Sequence, residues 1–441
     1  MAQERDPSLK IDLSYATITL GSSTLWFIWS GWLAYFYLPP GGTPRVPTAL
    51  YSIVMFIVSA ISALVTPLVG YWSDQASSRW GRRIPFMLVS GLPMLLLFVL
   101  LWMPPVPGQS TWNFVYLLTV LGLHNIVYIL NQVPYSALLP EIALTDQHRV
   151  QVSAWTSGFM LLGMILGSSA GPVIERLGYA PSAMIYASVL LPLFYLPLLV
   201  LRERPGRQVA PAQRLSFGQS LSLTFRNPAF QSLIVAGTIY WVVTSLVQAV
   251  MPFVVTEICL LSEAHTIYFY LPAILASLAC YPAITWLTAR FGKWRVVVAS
   301  ALASTLVLPG MALIGDWLPL PLMAQGIGWV TLEAIAMSGI MMLAPTFTAE
   351  VTDYDEELTG QRREGAYYAA WGLLDEVVNS AALALLPLLL LLGRSRTDPY
   401  GPLGVRMIAV LGSVLSLVAF FVFLRYPLRD RSKVRVPGAD S

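Results

Sequence analysis

Of the 23 acidic residues in this 441-residue chain, Glu333, Asp375 and Glu376 are the ones set well inside long apolar runs, and His124 joins them there. An ionisable group at the centre of a hydrocarbon layer costs at least about 2.5 kcal/mol, so its presence points to work on a proton or another cation. Desolvation disfavours the charged form of an unpaired carboxylate, contact with water restores it, and no Lys or Arg stands at mid-depth to neutralise these. Asp375 follows Gly365 by ten residues, about 15 Å at ~1.5 Å per residue, which is the middle of a core about 30 Å thick. Tyr368, Trp371, Asp375 and Asn379 recur at steps of three and four, so one helix face carries a polar and aromatic stripe, and Glu376 points about 100 degrees away. A matching stripe is His124, Tyr128, Asn131 and Tyr135, with Gln132 one step off it. Donors, acceptors and ring faces on one side of a helix suit a polyhydroxylated ligand or a polar headgroup. Imidazole also titrates near neutral pH, and Trp26, Trp29 and Ser30 offer a further stacking surface. Packing competes with each assignment: an acid can be neutralised by a local hydrogen bond, and Trp residues also anchor spans at the membrane interface.

A second concentration of charge lies in GYWSDQASSRWGRR, from Gly70 to Arg83. Arg79, Arg82 and Arg83 present forked donors to Asp74, to helix C-terminal carbonyls, or to Asp353, Asp355 and Glu356 far along the chain. Such contacts would act as a latch over one face. The competing account is that the arginines only set topology and bind anionic headgroups.

The elements that must position these groups follow from composition. The chain is 56% hydrophobic and 11% charged, with 14 Trp, 20 Tyr and 18 Phe, more apolar material than a soluble core buries. Apolar stretches of about 20 residues occupy 14–38, 48–72, 84–103, 112–138, 151–174 and 182–201, then 229–256, 264–288, 296–315, 320–348, 365–392 and 403–425. That predicts an all-α membrane protein of twelve spans in two six-helix bundles. The expected organisation is 1–201 for the first half, 202–227 for a surface linker, 228–425 for the second half and 426–441 for a basic tail. The first apolar run has full span length and no small-residue cleavage site, so it reads as an anchoring helix. With both termini cytoplasmic, 21 of the 26 Lys and Arg fall on the cytoplasmic side, leaving Arg45, Arg176, Arg394, Arg396 and Arg406 outside. The net charge of +3 thus follows topology and makes no case for nucleic acid. Cys259 and Cys280 have no ligand-type spacing, and the three His are scattered, so neither a metal site nor a cofactor is expected. No nucleophile beside a base and no Gly-rich phosphate loop argues for an enzyme.

The chain also repeats itself. Arg79-Trp80-Gly81-Arg82 matches Arg290-Phe291-Gly292-Lys293 at a spacing of 211, and PYSALLPEI and APTFTAEV place Glu141 and Glu350 209 apart. Parallel halves of this kind occur in transporters whose site lies between the halves, and they argue against a channel.

In the residues Gly70-Tyr71-Trp72-Ser73-Asp74, Ser78-Arg79-Trp80-Gly81-Arg82-Arg83, Pro134 to Glu141, Asp353-Tyr354-Asp355-Glu356 and Thr359 to Gly365, the chain resembles the major facilitator superfamily. Within it, the resemblance is to the glycoside-pentoside-hexuronide cation symporters, relatives of melibiose and lysolipid carriers. The resemblance implies a monomeric alternating-access transporter of a glycoside or other sugar, coupled to H+ or Na+. The alternatives are a lysolipid carrier or an uncoupled facilitator, and the expected place is the inner membrane if the source is bacterial. The family's charged sugar and cation positions fall near Ser23, Ser62, Thr66, Gln132, Ser157 and Glu376, none with the family's charge. Proton coupling through Glu333, Asp375, Glu376 or His124 is therefore favoured over sodium, since hydroxyls and amides supply oxygen ligands without compensating charge.

Overall fold

The computed structural model describes residues 9–40, 42–76, 78, 80–143, 146–201, 224–359, 364–393 and 402–428. Its first set of helices is α1 (Leu9–Tyr37), α2 (Thr48–Gln75), α3 (Ile84–Leu100), α4 (Thr111–Ile142), α5 (Asp146–Ser168), α6 (Ala170–Leu177) and α7 (Tyr179–Val200). The second is α8 (Pro228–Phe253), α9 (Thr266–Ala279), α10 (Tyr281–Phe291), α11 (Lys293–Ala312), α12 (Leu322–Thr359), α13 (Glu364–Leu390) and α14 (Pro402–Leu424). Nine spans among the described residues are by themselves long and apolar enough to cross a membrane.

Proline explains the points where the expected continuous spans break. Pro172 in the first turn of α6 and Pro282 in the first turn of α10 lack the N–H that would continue the preceding helix, so 151–174 divides at Ser169 and 264–288 at Cys280. After Pro252, α8 runs into a π-helical turn, Val254–Ile258. Two helix starts carry side-chain caps: Ser110 accepts from Trp112 N–H at 3.1 Å ahead of α4, and Asn227 accepts from Ala229 N–H at 3.0 Å ahead of α8. Several helices overrun their expected ends, since α4 continues to Ile142 and α12 to Thr359.

The packing is two-fold in pattern. In the first half α1 packs on α5 and α7, α3 on α4 and α7, and α2 on α4. In the second half α8 packs on α13 and α14, α11 on α12 and α14, and α9 on α12, the same five pairings. Across the halves α1 meets α8, α2 meets α13 and α5 meets α9, which is what a pseudo-two-fold axis requires. Helices α3, α7, α11 and α14 turn apolar side chains outward, with Val89, Leu199, Leu306 and Phe421 all more than half exposed, as a lipid-facing surface demands.

Buried amides repeat the symmetry. Asn113 on α4 donates to the carbonyls of Arg45, Val106 and Gly108, and Gln325 on α12 donates to those of Gly315 and Leu320, at 2.8–3.0 Å. Each holds the loop ahead of its helix and satisfies carbonyls that hydrocarbon would leave bare.

Candidate transport site

At one end the halves touch. Glu175, near the end of α6, accepts a hydrogen bond from Ala264 N–H at 2.6 Å, and Tyr179 donates to Glu263 at 3.4 Å. Gly171 makes the approach possible, because a Cβ there would overlap the Thr266 hydroxyl and the Glu263 carbonyl. Deeper in, Gln248 Nε2 donates to the Phe27 carbonyl at 3.2 Å, and Tyr270 packs edge-on against Phe27 at 4.8 Å while donating to the Gln248 carbonyl. Tyr35 meets Phe253 the same way at 4.9 Å. Beside these contacts a small cleft lies between α1, α2, α8 and α13, bordered by Trp29, Ser30, Tyr51, Ala249 and Leu383.

At the other end, the described ion pairs run inside each half. Arg82 Nη2 lies 2.6 Å from Glu141 Oε1 and Arg83 Nη1 3.0 Å from the same oxygen, tying the start of α3 to the end of α4. Lys293 reaches Glu350 at 2.9 Å and ties the start of α11 to α12, with Tyr426 donating to the same carboxylate at 3.3 Å. The two sequence echoes are thus the two ends of one ion pair, built twice. Gly81 and Gly292, at φ of 107° and 86°, make the turn that aims each cation. His148 meets Asp12 at 2.9 Å between α5 and α1, and Asn227 meets Tyr367 at 3.0 Å between α8 and α13.

For the expected latch, this means that Arg82 and Arg83 engage Glu141 of their own half. Asp355 is buried, whereas Asp353 and Glu356 are exposed. Arg79 and the side chain of Asp74 lie outside the described residues.

The mid-depth candidates separate into groups. Asn131 donates to Ser90 Oγ at 3.0 Å and to the Met87 carbonyl, so it faces α3, and Gln132 donates to Asn131. Tyr135 stacks on Tyr15 at 4.4 Å and bonds Thr19, so the lower end of the stripe binds α4 to α1. His124 is buried, its ring stacked near Tyr128, and its Nε2 has no hydrogen-bond partner. Ser62 accepts from Asn125 and donates within α2, and Thr66 donates to the Ser62 carbonyl. Trp26 and Trp29 are half-buried on α1, and Trp29 borders the cavity between the halves. Trp371, half-buried on α13, packs into the space that Gly237 leaves on α8. Glu333 is 3% exposed and accepts from Ser304 Oγ at 2.6 Å. Asp375, Glu376 and Asn379 belong to α13, but their side chains lie outside the described residues.

The family model for MFS/sugar transport protein matches residues 14–430. The chain belongs to that family. It is a multi-pass membrane transporter, not an enzyme, and its fold is that of the major facilitators. Similar proteins include the glucuronide carrier protein homolog of Escherichia coli (strain K12), 24% identical over 88% of this chain and 86% of that protein. The putative glycoside/cation symporter YagG of the same organism is 24% identical over 80% of this chain and 76% of its own. Among solved structures, a bacterial homolog to the human lysosomal transporter Spinster superposes with a TM-score of 0.66 over 98% of each chain at 11% identity. Similarity that low speaks for the fold alone.

The described residues that join the halves at the end where they touch were not those the sequence brought forward. Gln248 carried a usable signal, an amide in an otherwise apolar run. Glu175, Tyr179 and Glu263 sit at helix ends, where polar residues are ordinary, and carried none.

Proposed function

We propose that this transporter moves a glycoside or other small sugar by alternating access, coupled to a cation, with the proton favoured over sodium. The observation that carries the reading is the match to a sugar-transport family along nearly the whole chain. Contacts between the halves at one end, with the described ion pairs lying within halves at the other, support a state closed at the first end and released at the second. We assign the termini to the cytoplasmic side and the working unit as a monomer, on the distribution of Lys and Arg and the self-contained two-half packing, and the membrane, if the source is bacterial, as the inner one.

Proton coupling is favoured because the first half has no carboxylate at mid-depth and its Ser62 and Thr66 hydroxyls are already used in bonds along α2. A hard cation would find oxygen there without charge. The carriers we assign are Glu333, Asp375, Glu376 and His124, with Trp26, Trp29, Tyr128, Gln132, Trp371 and Asn379 as the stacking and polar groups nearest the pathway.

A second reading, transport of a lysolipid or similar amphiphile, is favoured by one observation. The space enclosed within the second half is small but bordered almost wholly by apolar side chains, among them Leu233, Val297, Met337 and Phe347. Uptake of labelled methyl glucuronide, methyl glucoside and lysophosphatidylcholine into proteoliposomes, under imposed proton or sodium gradients, separates these. Glycoside accumulation driven by the proton gradient, abolished in Asp375→Asn or Glu333→Gln with counterflow exchange partly retained, is the expected result. Sodium-dependent accumulation that persists in both variants would overturn the proton assignment, and lysolipid movement without glycoside uptake would overturn the substrate.

A further inference from the structure

Glu333 differs from the other coupling candidates in where it points. Its Oε1 accepts from Ser304 on α11 at 2.6 Å, and Ser304 Oγ lies 3.2 Å from Ser416 Oγ on α14. Both α11 and α14 pack within the second half and show apolar faces outward at Leu306 and Phe421. The carboxyl is therefore turned into its own bundle, away from the seam with the first half. Its Oε2 is buried, with no hydrogen-bond partner among the described residues. An ionised carboxylate can accept at about four sites and here receives one hydrogen bond, whereas a protonated carboxyl needs fewer acceptor contacts and brings no charge into the bundle.

Among the described residues, the elements packed against α12 set no cation beside this carboxyl. From α8 the group nearest is Tyr240, whose hydroxyl donates to the Met337 carbonyl one turn beyond Glu333. The described cations of neighbouring helices lie toward the ends of the bundle: Lys293 with Glu350, Arg290 over Trp286 and Phe291, Arg295 exposed in the first turn of α11, and Arg406 on the Ala312 and Ile314 carbonyls. On α9 the Tyr270 hydroxyl is given to the Gln248 carbonyl, and from α13 the ionisable side chains at this depth are Asp375 and Glu376.

The pseudo-symmetric position in the first half carries the same feature. His124 and Glu333 each stand seventeen residues before the ion-paired glutamate of their helix, Glu141 or Glu350. They therefore lie on equivalent faces of α4 and α12. Both are titratable, both are buried, and each keeps one polar atom without a partner. Ser304 and Ser416 also border a small cavity of about 30 Å³ whose lining includes Trp371, so the hydroxyl end of the Glu333 cluster adjoins a space about the size of one water.

We propose that Glu333, Ser304 and Ser416 form a proton-binding site inside the second half, off the pathway between the halves, occupied by a proton in the state seen here. The inference rests on the proton-coupled reading above but names one of its carriers and places it where substrate does not touch it. Its test is made without a gradient, on the full chain in lipid nanodiscs, by infrared difference spectroscopy of protein carrying ¹³C-labelled glutamate, with pH as the only variable. A protonated-carboxyl stretch present at neutral pH, lost in Glu333→Gln and moved to higher frequency in Ser304→Ala, is expected, and methyl glucuronide should leave it unchanged. Should Glu333→Gln fail to fold, Glu333→Asp and Ser304→Ala serve, each moving the band without removing it. No Glu333-dependent band in folded protein would overturn the site even if proton-driven uptake persists. A band present in a protein whose uptake ignores the proton gradient would keep the site and overturn the coupling reading.

Discussion

The two ends of the molecule are held by different chemistry. Where the halves meet, the described bonds are hydrogen bonds and ring contacts, not ion pairs: a carboxylate on a backbone N–H, a tyrosine on a carboxylate, an amide on a carbonyl, and aromatic edges. At the end of the repeated motifs the bonds are ion pairs, and those described lie within one half, Arg82 and Arg83 with Glu141, Lys293 with Glu350. Contacts that must break in every cycle are individually weak, and contacts that keep each bundle rigid are charge-assisted. The lesson is that the motif cations at this end serve first as internal staples of each half.

The sharpest way to break that comparison is at Gly171. A leucine there cannot be relieved by a rotamer, since the Glu263 backbone carbonyl is among the atoms it meets. Overpacking of about 1–3 kcal/mol corresponds to roughly a five- to 150-fold loss of the closed state. Gly171→Leu should leave thermal stability of the halves nearly intact while uptake falls by about that factor, measured as initial rate in proteoliposomes.

Next in size is the contrast between staples. Glu141 holds two arginines and Glu350 one lysine, with the cations partly exposed and their energies screened accordingly. Glu141→Ala should lower the unfolding midpoint of purified protein by a few degrees and by more than Glu350→Ala. Equal shifts would remove the inequality, and a shift in the accessibility of the pathway without loss of stability would restore the latch between halves.

How far the sequence foretold this can be judged residue by residue. The twelve apolar runs and the repeat of Arg82 with Lys293 and Glu141 with Glu350 were legible, because hydrophobic length and motif spacing are local properties. That each echo was half of an ion pair was not, because the partners are 59 and 57 residues apart and only helix packing brings them together. Periodicity put His124, Tyr128, Asn131 and Tyr135 on one face but could not say which neighbour covers it; α3 takes Asn131 and α1 takes Tyr135. The breaks at Ser169 and Cys280 were marked by Pro172 and Pro282, which hydropathy alone passes over.

A smaller effect belongs to Glu175. Its carboxylate is exposed, so its bond to Ala264 N–H is discounted for screening to about 1 kcal/mol or less. Glu175→Gln should shift the balance of states by less than about fivefold, read as labelling rate of a cysteine placed at Leu260. A larger shift would mean that this end depends on charge more than on shape.

Alternating access, as proposed for this transporter, requires the two ends to open in turn. Pulsed electron spin resonance would measure it on protein with Cys259→Ala and Cys280→Ser, spin-labelled either at Leu177→Cys and Leu260→Cys or at Trp80→Cys and Phe291→Cys. Each pair spans the halves at one end and uses exposed positions. On addition of methyl glucuronide or methyl glucoside in liposomes, the predicted result is reciprocal: as one pair's short-distance population falls, the other's rises. Distances that change together at both ends, or at neither while labelled sugar is still transported, would contradict alternating access in this protein.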